Sequence, residues 1–201
     1  LAASTGREES VLAHRIMGNW SPETSDFEQL ILSEEQGDDD SRPYPYCLAY
    51  ALEGEPEQLG AVSDWQAERK WDGIRGQLIV RGGQHYLWSR GEELITDKFP
   101  EYATAAQELP EGTVLDGEIL PWRDGGALGF QLLQTRIGRK QVGKSLLQKA
   151  PVAFMAYDLL EWEGEDLRQK PLATRRDLLE QLVAPLQLPW LLLSQTLAAT
   201  D

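Results

Sequence analysis

Residues 68–76 read Glu-Arg-Lys-Trp-Asp-Gly-Ile-Arg-Gly. It places Lys70 in a Lys-x-Asp-Gly-x-Arg frame, close to acidic residues, a glycine and an arginine. A primary amine in this setting can attack phosphorus once it is deprotonated and a phosphate is held in line with it. We therefore predict that Lys70 is a nucleophile. The alternative is a solvated charge cluster that opens a strand, because these residue types are common on protein surfaces.

A β-hairpin is predicted directly after this stretch. Leu78 and Val80 alternate with their neighbours in a first run, and Gly82-Gly83 separates that run from a second one at residues 85–89. Paired glycines adopt the positive φ angles that tight hairpin turns require. The nucleophile is therefore expected at the entrance of a sheet.

The remainder of the chain mixes helices and strands. Helices are predicted at residues 99–109, 129–137 and 174–183, and strands at residues 47–52, 113–120, 151–162 and 190–194. The elements do not alternate strictly as strand, helix and strand. This order favours an α+β fold rather than a parallel α/β sheet.

The first 32 residues are predicted to be helical. Leu12 and Ile16 belong to an apolar pattern with helical spacing, and a second short helix is expected where Ser21 caps and Pro22 occupies the first turn. Residues 33–46 are acidic and then proline-rich, which is typical of a linker. We predict that residues 1–40 are the end of a helical region with its linker, and that residues 41–201 form a second domain. A helical extension that packs on the core is the equal alternative for the first part.

The composition indicates a folded protein. The chain has 201 residues, 41% of them hydrophobic, and seven Trp, which excludes disorder. It contains no apolar run of about 18 residues and no secretion signal, so we predict no membrane segment and a cytoplasmic location. The single cysteine, Cys47, cannot form an internal disulfide, and the sequence has no Cys/His zinc pattern.

The formal charge of −14 is unfavourable for a protein that binds nucleic acid. Much of the acid lies in residues 34–40 and 53–57, outside the motifs. A basic binding surface is therefore expected to lie partly outside this chain. Four basic residues between and after the motifs are either contacts to nucleic acid or charges on helix surfaces, and we expect surface charges: Arg136, Arg139, Arg175 and Arg176.

Three further stretches follow residues 68–76 in order. They are Ser89-Arg90-Gly91-Glu92, Val114-Leu115-Asp116-Gly117-Glu118-Ile119 and Phe154-Met155-Ala156-Tyr157-Asp158-Leu159-Leu160. Together these motifs resemble those of the covalent nucleotidyltransferases and, among them, of the bacterial ATP-dependent DNA ligases. The resemblance covers nearly all of residues 10–196.

The resemblance implies a role for each motif. Lys70 would carry AMP, and Arg90 would contact phosphate of the nucleotide or the nick, since its guanidinium offers a fork of donors. Glu118 would bind the ribose hydroxyl or Mg²⁺, because carboxylates suit both, and Asp116 would support it. The remaining implied roles are reading of the adenine edge by Glu68, contact with the ribose or the nick by Arg75, and stacking on adenine by Tyr157.

The fold and the activity follow from the same resemblance. It implies an adenylation domain of antiparallel sheets flanked by helices, preceded by part of a helical DNA-binding domain. The expected activity is the sealing of nicks in duplex DNA through a lysyl-AMP intermediate, with ATP and Mg²⁺, in DNA replication, repair and recombination. A monomer is expected, and the sequence does not identify DNA-processing partners.

The family's later motifs do not appear before Asp201. They are a Glu-Gly segment with a further metal-site carboxylate, a Lys-x-Lys segment and a C-terminal OB-fold. We therefore predict a fragment whose activity in isolation is impaired. An RNA ligase or an mRNA-capping guanylyltransferase is the alternative enzyme, although the Arg90 segment and the helical leader favour a DNA ligase. A noncatalytic module that binds nucleotide or DNA is the alternative from another class.

Overall fold

The structure is a computed structural model that describes residues 2–6, 12, 16, 21–32, 40–139 and 142–197. Its strands are β1 (Ile74–Arg81), β2 (Gln84–Ser89), β3 (Thr113–Arg123), β4 (Gly126–Ala127), β5 (Val152–Trp162), β6 (Glu165–Asp166) and β7 (Leu191–Leu193). Its α-helices are α1 (Ala2–Thr5), α2 (Ala105–Glu108), α3 (Gln131–Ile137), α4 (Lys144–Lys149) and α5 (Leu172–Val183). No helix in these ranges is long and apolar enough to cross a membrane.

The strands form a mixed sheet with the order β2-β1-β3-β5-β6. β4 pairs with the end of β3, and β7 pairs with β5. Every pair is antiparallel except β5 with β7, where α5 lies in the connection that returns the chain in the same direction. The α+β class is confirmed. One strand pair is parallel, whereas antiparallel sheets were predicted.

The predicted hairpin is confirmed. β1 and β2 pair from Gly76 opposite Ser89 to Arg81 opposite Gln84. Gly82 and Gly83 form the turn with φ angles of 60° and 67°, values that glycine adopts without strain. The carboxylate of Glu111 accepts the N–H groups of both glycines, at 2.6 and 3.2 Å.

The two faces of the sheet have different neighbours. One face contributes apolar side chains such as Leu78, Leu115 and Phe154 to the main core, which α5 and the irregular helical turns after β2 complete. The opposite face carries Asp116 and Glu118 on β3, since side chains two residues apart point to the same side of a strand. The chain at residues 41–50 crosses this second face, where Tyr44 packs in a smaller apolar cluster. The second face therefore carries the polar motif residues.

Two predicted elements are wrong or interrupted. Residues 47–52 form no strand: Leu48, Tyr50 and Leu52 are exposed, and the Cys47 carbonyl accepts a hydrogen bond from the Arg75 side chain instead of from a ladder. The predicted helix at residues 99–109 is divided into a 3₁₀ turn at Pro100–Tyr102 and α2. Pro100 disfavours helical backbone at the preceding residue, which explains the late and irregular start. Beyond residue 52, the other predicted helices and strands are present, with shifted ends.

The N-terminal prediction is only partly within the described residues. The carbonyl of Ser21 accepts the amides of Thr24 and Ser25, so Pro22 lies in a turn and does not begin a helix. After this turn, a π-helix spans Glu28–Leu32. Most of residues 7–20 and residues 33–39 of the predicted linker lie outside the described residues, and the division into two domains stays a prediction.

The predicted surface position of the helix arginines is wrong for Arg136, which is fully buried. Its guanidinium donates to both carboxylate oxygens of Glu101, at 2.8 and 2.7 Å, and to the carbonyls of Lys98 and Ala150. A buried guanidinium requires such partners because its desolvation is costly. Arg175 and Arg176 are also engaged internally, with Asp158 and with the Ser194 carbonyl respectively.

The packing at Gly117 generates a stability prediction. A Cβ at this position would lie 2.4 Å from Cε1 of Phe154 and 2.6 Å from the Met155 carbonyl. We expect Gly117→Ala to lower the free energy of unfolding by about 1–3 kcal/mol, the usual cost of overpacking. Urea unfolding of this chain measures the change.

Gly138→Ala is the matched control. Its φ of −70° is ordinary, and no atom lies within 4 Å of the added Cβ. Its unfolding free energy should stay within about 0.5 kcal/mol of the wild type. Equal stability of the two variants would contradict the packing argument.

Candidate active site

A cavity of about 950 Å³ opens on the second face of the sheet, within the range of small-molecule sites. Its walls come from the irregular segment before β1, from the end of β2 and from β3 and β5. The lining residues are 47–50, 69–75, 89–91, Glu118 and Tyr157. Four motifs that are far apart in sequence therefore meet at one cavity.

Lys70 lies in the irregular segment that leads into β1, and it is exposed. Its neighbour Trp71 fixes that segment: the indole N–H donates to Oγ of Ser194 at 3.1 Å, and the ring packs edge-on against Trp122 with 6.1 Å between centroids. The guanidinium of Arg69 covers the Trp71 ring at 4.8 Å. Within the described part of the chain, the Lys70 ammonium has no hydrogen-bond or ion-pair partner, so it remains available to a ligand.

Close packing of the backbone against β3 explains why the Lys-x-Asp-Gly frame has a glycine at position 73. A Cβ at this position would lie 2.3 Å from the backbone oxygen of Ile119 and 2.9 Å from Cγ of Glu118. Only glycine permits this approach to β3, and the approach allows the Gly73 N–H to donate to Oε1 of Glu118 at 3.0 Å. The frame thus connects the segment that carries Lys70 to the carboxylate in β3.

Glu118 is the half-buried carboxylate of the cavity. Burial raises the pKa of Glu118 to about 7, while the Gly73 N–H and the positive charges of Arg75 and Lys70 oppose this rise. An environment that nearly balances the two protonation states is common at functional sites. The carboxylate is therefore poised to respond to the charge of a ligand.

Asp116 holds the guanidinium of Arg75, and in this way it supports the site. Nε and Nη2 of Arg75 donate to the two carboxylate oxygens at 3.2 and 2.8 Å, and Nη1 donates to the Cys47 carbonyl. The guanidinium also lies 5.4 Å from the ring centroid of Tyr46 and 5.9 Å from that of Tyr157. Burial raises the pKa of Asp116, and the paired guanidinium opposes this.

Tyr157 reaches the cavity from an irregularity in β5. Asp116 pairs with Asp158 and Gly117 with Ala156, so Tyr157 is the extra residue of a β-bulge. Bulges redirect side chains and are frequent beside active sites. The Tyr157 hydroxyl donates to Oδ1 of Asp116 at 3.2 Å, and burial raises the pKa of this phenol far above its usual value.

Arg90 follows β2 and lies opposite the start of β1. Its backbone N–H donates to the Arg75 carbonyl at 2.9 Å, which fixes its position, while its side chain is exposed at the cavity. No residue in the described ranges forms an ion pair with its guanidinium. The side chain is thus free to meet an anionic ligand.

Glu68 is the predicted site residue that does not line the cavity. Its backbone forms an isolated bridge with Thr196, and its carboxylate lies 3.8 Å from Nη1 of Arg176 and accepts a hydrogen bond from Gln66. The structure therefore brings Lys70, Arg75, Arg90, Glu118 and Tyr157 together and leaves Glu68 beside them.

Sequence reasoning missed the wall formed by residues 47–50, together with Tyr46 beside it. Tyr46 contributes a ring beside Arg75, and its hydroxyl donates to the Trp88 carbonyl at 2.9 Å. Local sequence gives no signal for this wall, because its position depends on the passage of the chain over β1.

Glu118, the half-buried carboxylate of the cavity, is compatible with Mg²⁺, and the exposed Asp72 is the second carboxylate in the lining. Among the described residues no group of three or more His, Cys, Asp or Glu side chains could hold a metal by itself. Mg²⁺ usually retains water and binds through one or two carboxylates together with substrate phosphates. Glu118 fits that mode, in which the nucleotide supplies the remaining ligands.

Fold and cavity together define a nucleotidyltransferase domain: a mixed sheet whose polar face carries a lysine, a carboxylate and arginines around one cavity. Residues 48–198 match the family model described as the ATP dependent DNA ligase domain. Because the match covers most of the chain, the chain belongs to this family.

Curated relatives and solved structures agree with this. The chain is 48% identical over 117 residues to a probable DNA ligase of Opitutus terrae, covering 58% of this chain and 12% of that protein. It is 36% identical over 138 residues to a probable DNA ligase of Koribacter versatilis, covering 69% of this chain and 24% of that protein.

The ligase domain of M. tuberculosis LigD matches with a TM-score of 0.53 and 29% identity, over 70% of this chain and 44% of that one. A mycobacterial DNA ligase D complexed with ATP and MES matches with a TM-score of 0.52 and 29% identity, over 67% and 40%. The chain thus spans less than a third of the two curated relatives.

The pKa of Glu118 generates a prediction for stability against pH. In the folded chain the Glu118 carboxyl stays protonated over a pH range in which the unfolded chain, with a pKa near 4.5 for this group, has lost the proton. The stabilising contribution is therefore full below about pH 4.5 and is lost as the pH rises through about 7. We expect Glu118→Gln, which does not titrate, to gain stability relative to the wild type between about pH 5 and about pH 8.

Urea unfolding in buffer with EDTA tests this expectation at both pH values. Glu53→Gln, at an exposed position, controls for the change in net charge. A constant stability difference between Glu118→Gln and the wild type across this range would contradict the raised pKa.

Proposed function

We propose that the parent protein seals nicks in duplex DNA and that Lys70 carries AMP during the reaction. The observation that carries the proposal is the position of Lys70, unpaired among the described residues, at a cavity that also contains Arg90, Glu118 and Tyr157. Membership in the ATP-dependent DNA ligase domain family supports the choice of ATP. The activity of the whole protein is part of the proposal, because this chain spans a fraction of its relatives.

In the first step Nζ of Lys70 attacks the α-phosphorus of ATP. A phosphorus–nitrogen bond forms, the bond to the β-phosphate oxygen breaks, and pyrophosphate leaves with the electron pair. The amine proton passes to solvent. Holding the amine and the phosphate in line supplies much of the rate, because it removes the entropic cost of their encounter.

The cavity residues bind and orient the nucleotide. Arg90 meets phosphate oxygens, since its guanidinium is exposed at the cavity, and the ring of Tyr157 stacks on adenine. Glu118 accepts the ribose hydroxyl or holds Mg²⁺. We assign Glu68 to the adenine edge and Arg75 to the ribose or the nick, although the Asp116 pair already engages Arg75.

Glu118 is the residue that would hold Mg²⁺. When bound, this ion neutralises phosphate charge and acts as a Lewis acid on phosphoryl oxygens. The protein's own contribution is the carboxylate, which the Gly73 N–H keeps in place.

In the later steps AMP moves from Lys70 to the 5′-phosphate of the nick, and the phosphorus–nitrogen bond breaks. The 3′-hydroxyl then attacks this phosphate, a phosphodiester forms, and AMP leaves. Such a reaction serves replication, repair and recombination, and we place the protein in the cytoplasm as a monomer. The charge of −14 indicates that most of the contacts with DNA phosphates come from surfaces outside this chain.

Covalent labelling tests the first step. The chain, and a longer protein that carries the family's later motifs, are incubated with ATP labelled at the α-phosphate and Mg²⁺, and are then separated under denaturing conditions. We expect acid-labile label on the longer protein. Lys70→Ala should abolish it, a loss of at least about a thousandfold, because the nucleophile itself is removed.

Lys144→Ala is the matched control, since Lys144 is exposed and does not line the cavity. Absence of label on both folded wild-type proteins would overturn the proposal and favour a noncatalytic binding module. Labelling by GTP rather than ATP would indicate a capping-type enzyme, and sealing of nicked RNA rather than nicked DNA would indicate an RNA ligase.

A further inference from the structure

The Tyr157 hydroxyl is connected to a wall of the cavity through two charged side chains. It donates to Oδ1 of Asp116, which also accepts two hydrogen bonds from Arg75. Arg75 in turn donates to the carbonyl of Cys47, where residues 47–50 begin to line the cavity. A continuous path of hydrogen bonds thus runs from β5 through β3 and β1 to this wall.

Aromatic rings restrict Arg75 as well. Its guanidinium lies near the faces of Tyr46 and Tyr157, and cation–π attraction to both rings adds to the hydrogen bonds. Tyr46 is itself fixed by its hydroxyl, which donates to the Trp88 carbonyl. Arg75 is therefore a side chain of defined orientation rather than a mobile one.

The hydroxyl has a use beyond that of the ring. Stacking on a base needs only a π face, which phenylalanine also offers. Asp116, in contrast, is 4% exposed, and a buried carboxylate depends on its hydrogen-bond donors. The hydroxyl supplies one of these donors, so it contributes to the geometry that Asp116 imposes on Arg75.

We propose that the Tyr157 hydroxyl is a positioning group that acts through Asp116 on Arg75, fixes the wall at residues 47–50 and thereby sets the affinity of the cavity for the nucleotide. This inference rests on the proposed function, because it takes ATP as the ligand. The hydroxyl does not contact the reacting atoms. Its removal should therefore weaken nucleotide binding and leave the transfer rate at saturating ATP unchanged.

The test compares the wild type, Tyr157→Phe, Arg75→Lys and the double variant in the longer protein. One readout is the ATP concentration that gives half-maximal labelling of Lys70. A second needs no catalysis: protection by ATP of Cys47, the single cysteine of this chain, from alkylation in a form of the longer protein without other cysteines. Lysine at position 75 keeps the charge but cannot reach Asp116 and the Cys47 carbonyl together.

We expect Tyr157→Phe to raise the ATP concentration in both readouts by about three- to tenfold. This is less than the roughly tenfold or more for a lost direct hydrogen bond to a charged group, because the hydroxyl acts on the nucleotide only through Asp116 and Arg75. The maximal labelling rate should stay within about twofold. In the Arg75→Lys background, Tyr157→Phe should have little further effect, because the path through Arg75 is already broken. Tyr102→Phe is the control: its buried hydroxyl has no hydrogen-bond partner in the described ranges, and it lies away from the cavity.

Three results would overturn the positioning role. The first is an unchanged ATP affinity in Tyr157→Phe, and the second is a loss of maximal labelling rate with unchanged affinity. The third is a change of affinity in the double variant that equals the product of the changes in the two single variants. If the wild-type protein shows neither label nor protection of Cys47, the proposed function fails and the positioning role falls with it. That outcome is visible in the wild type alone, so the two failures are distinguishable.

Discussion

The close approach of the Gly73 backbone to β3 is the constraint on which the site depends. The absence of a side chain at Gly73 lets its N–H reach Glu118, and this contact sets the path of the segment that carries Lys70. A larger residue would have to displace the Ile119 carbonyl, which belongs to the β-ladder between β1 and β3. Lys70 and the Glu118 carboxylate are thus arranged by a backbone contact, whichever rotamer the lysine side chain adopts.

The second organising feature is the ion pair between Arg75 and Asp116. Desolvation of both groups makes a buried pair a weak source of stability, whereas loss of one partner is strongly destabilising. Its contribution here is geometric, because two parallel hydrogen bonds orient the guanidinium. In that orientation the guanidinium donates to the Cys47 carbonyl and lies against two tyrosine rings. A pair of this kind ties the sheet to the irregular wall, which has no ladder of its own to hold it.

Much of the fold was predictable from local patterns. The glycine turn after β1 and the long apolar strands β3 and β5 depend on neighbouring residues, and the sequence predicted them. The wall at residues 47–50 and the burial of Arg136 depend on partners that are distant in sequence, which local patterns do not contain. The bulge that turns Tyr157 toward Asp116 is likewise a property of strand pairing. For the site, motif order predicted which side chains share the cavity, with Glu68 lying beside it, but not how Arg75 is engaged.

The distribution of cations explains how an acidic chain can handle phosphate. Several arginines are used internally: Arg75, Arg81, Arg136, Arg175 and Arg176 all pair with carboxylates. At the cavity, Lys70 and Arg90 have no such partner among the described residues. Two cations without carboxylate partners therefore lie together at the cavity, where low-dielectric walls strengthen their attraction for phosphate, while the net negative charge of the chain repels a polyanion. On the proposed function, these two cations would meet the phosphates of a nucleotide in the cavity, whereas the net charge opposes contact of the remaining surface with DNA.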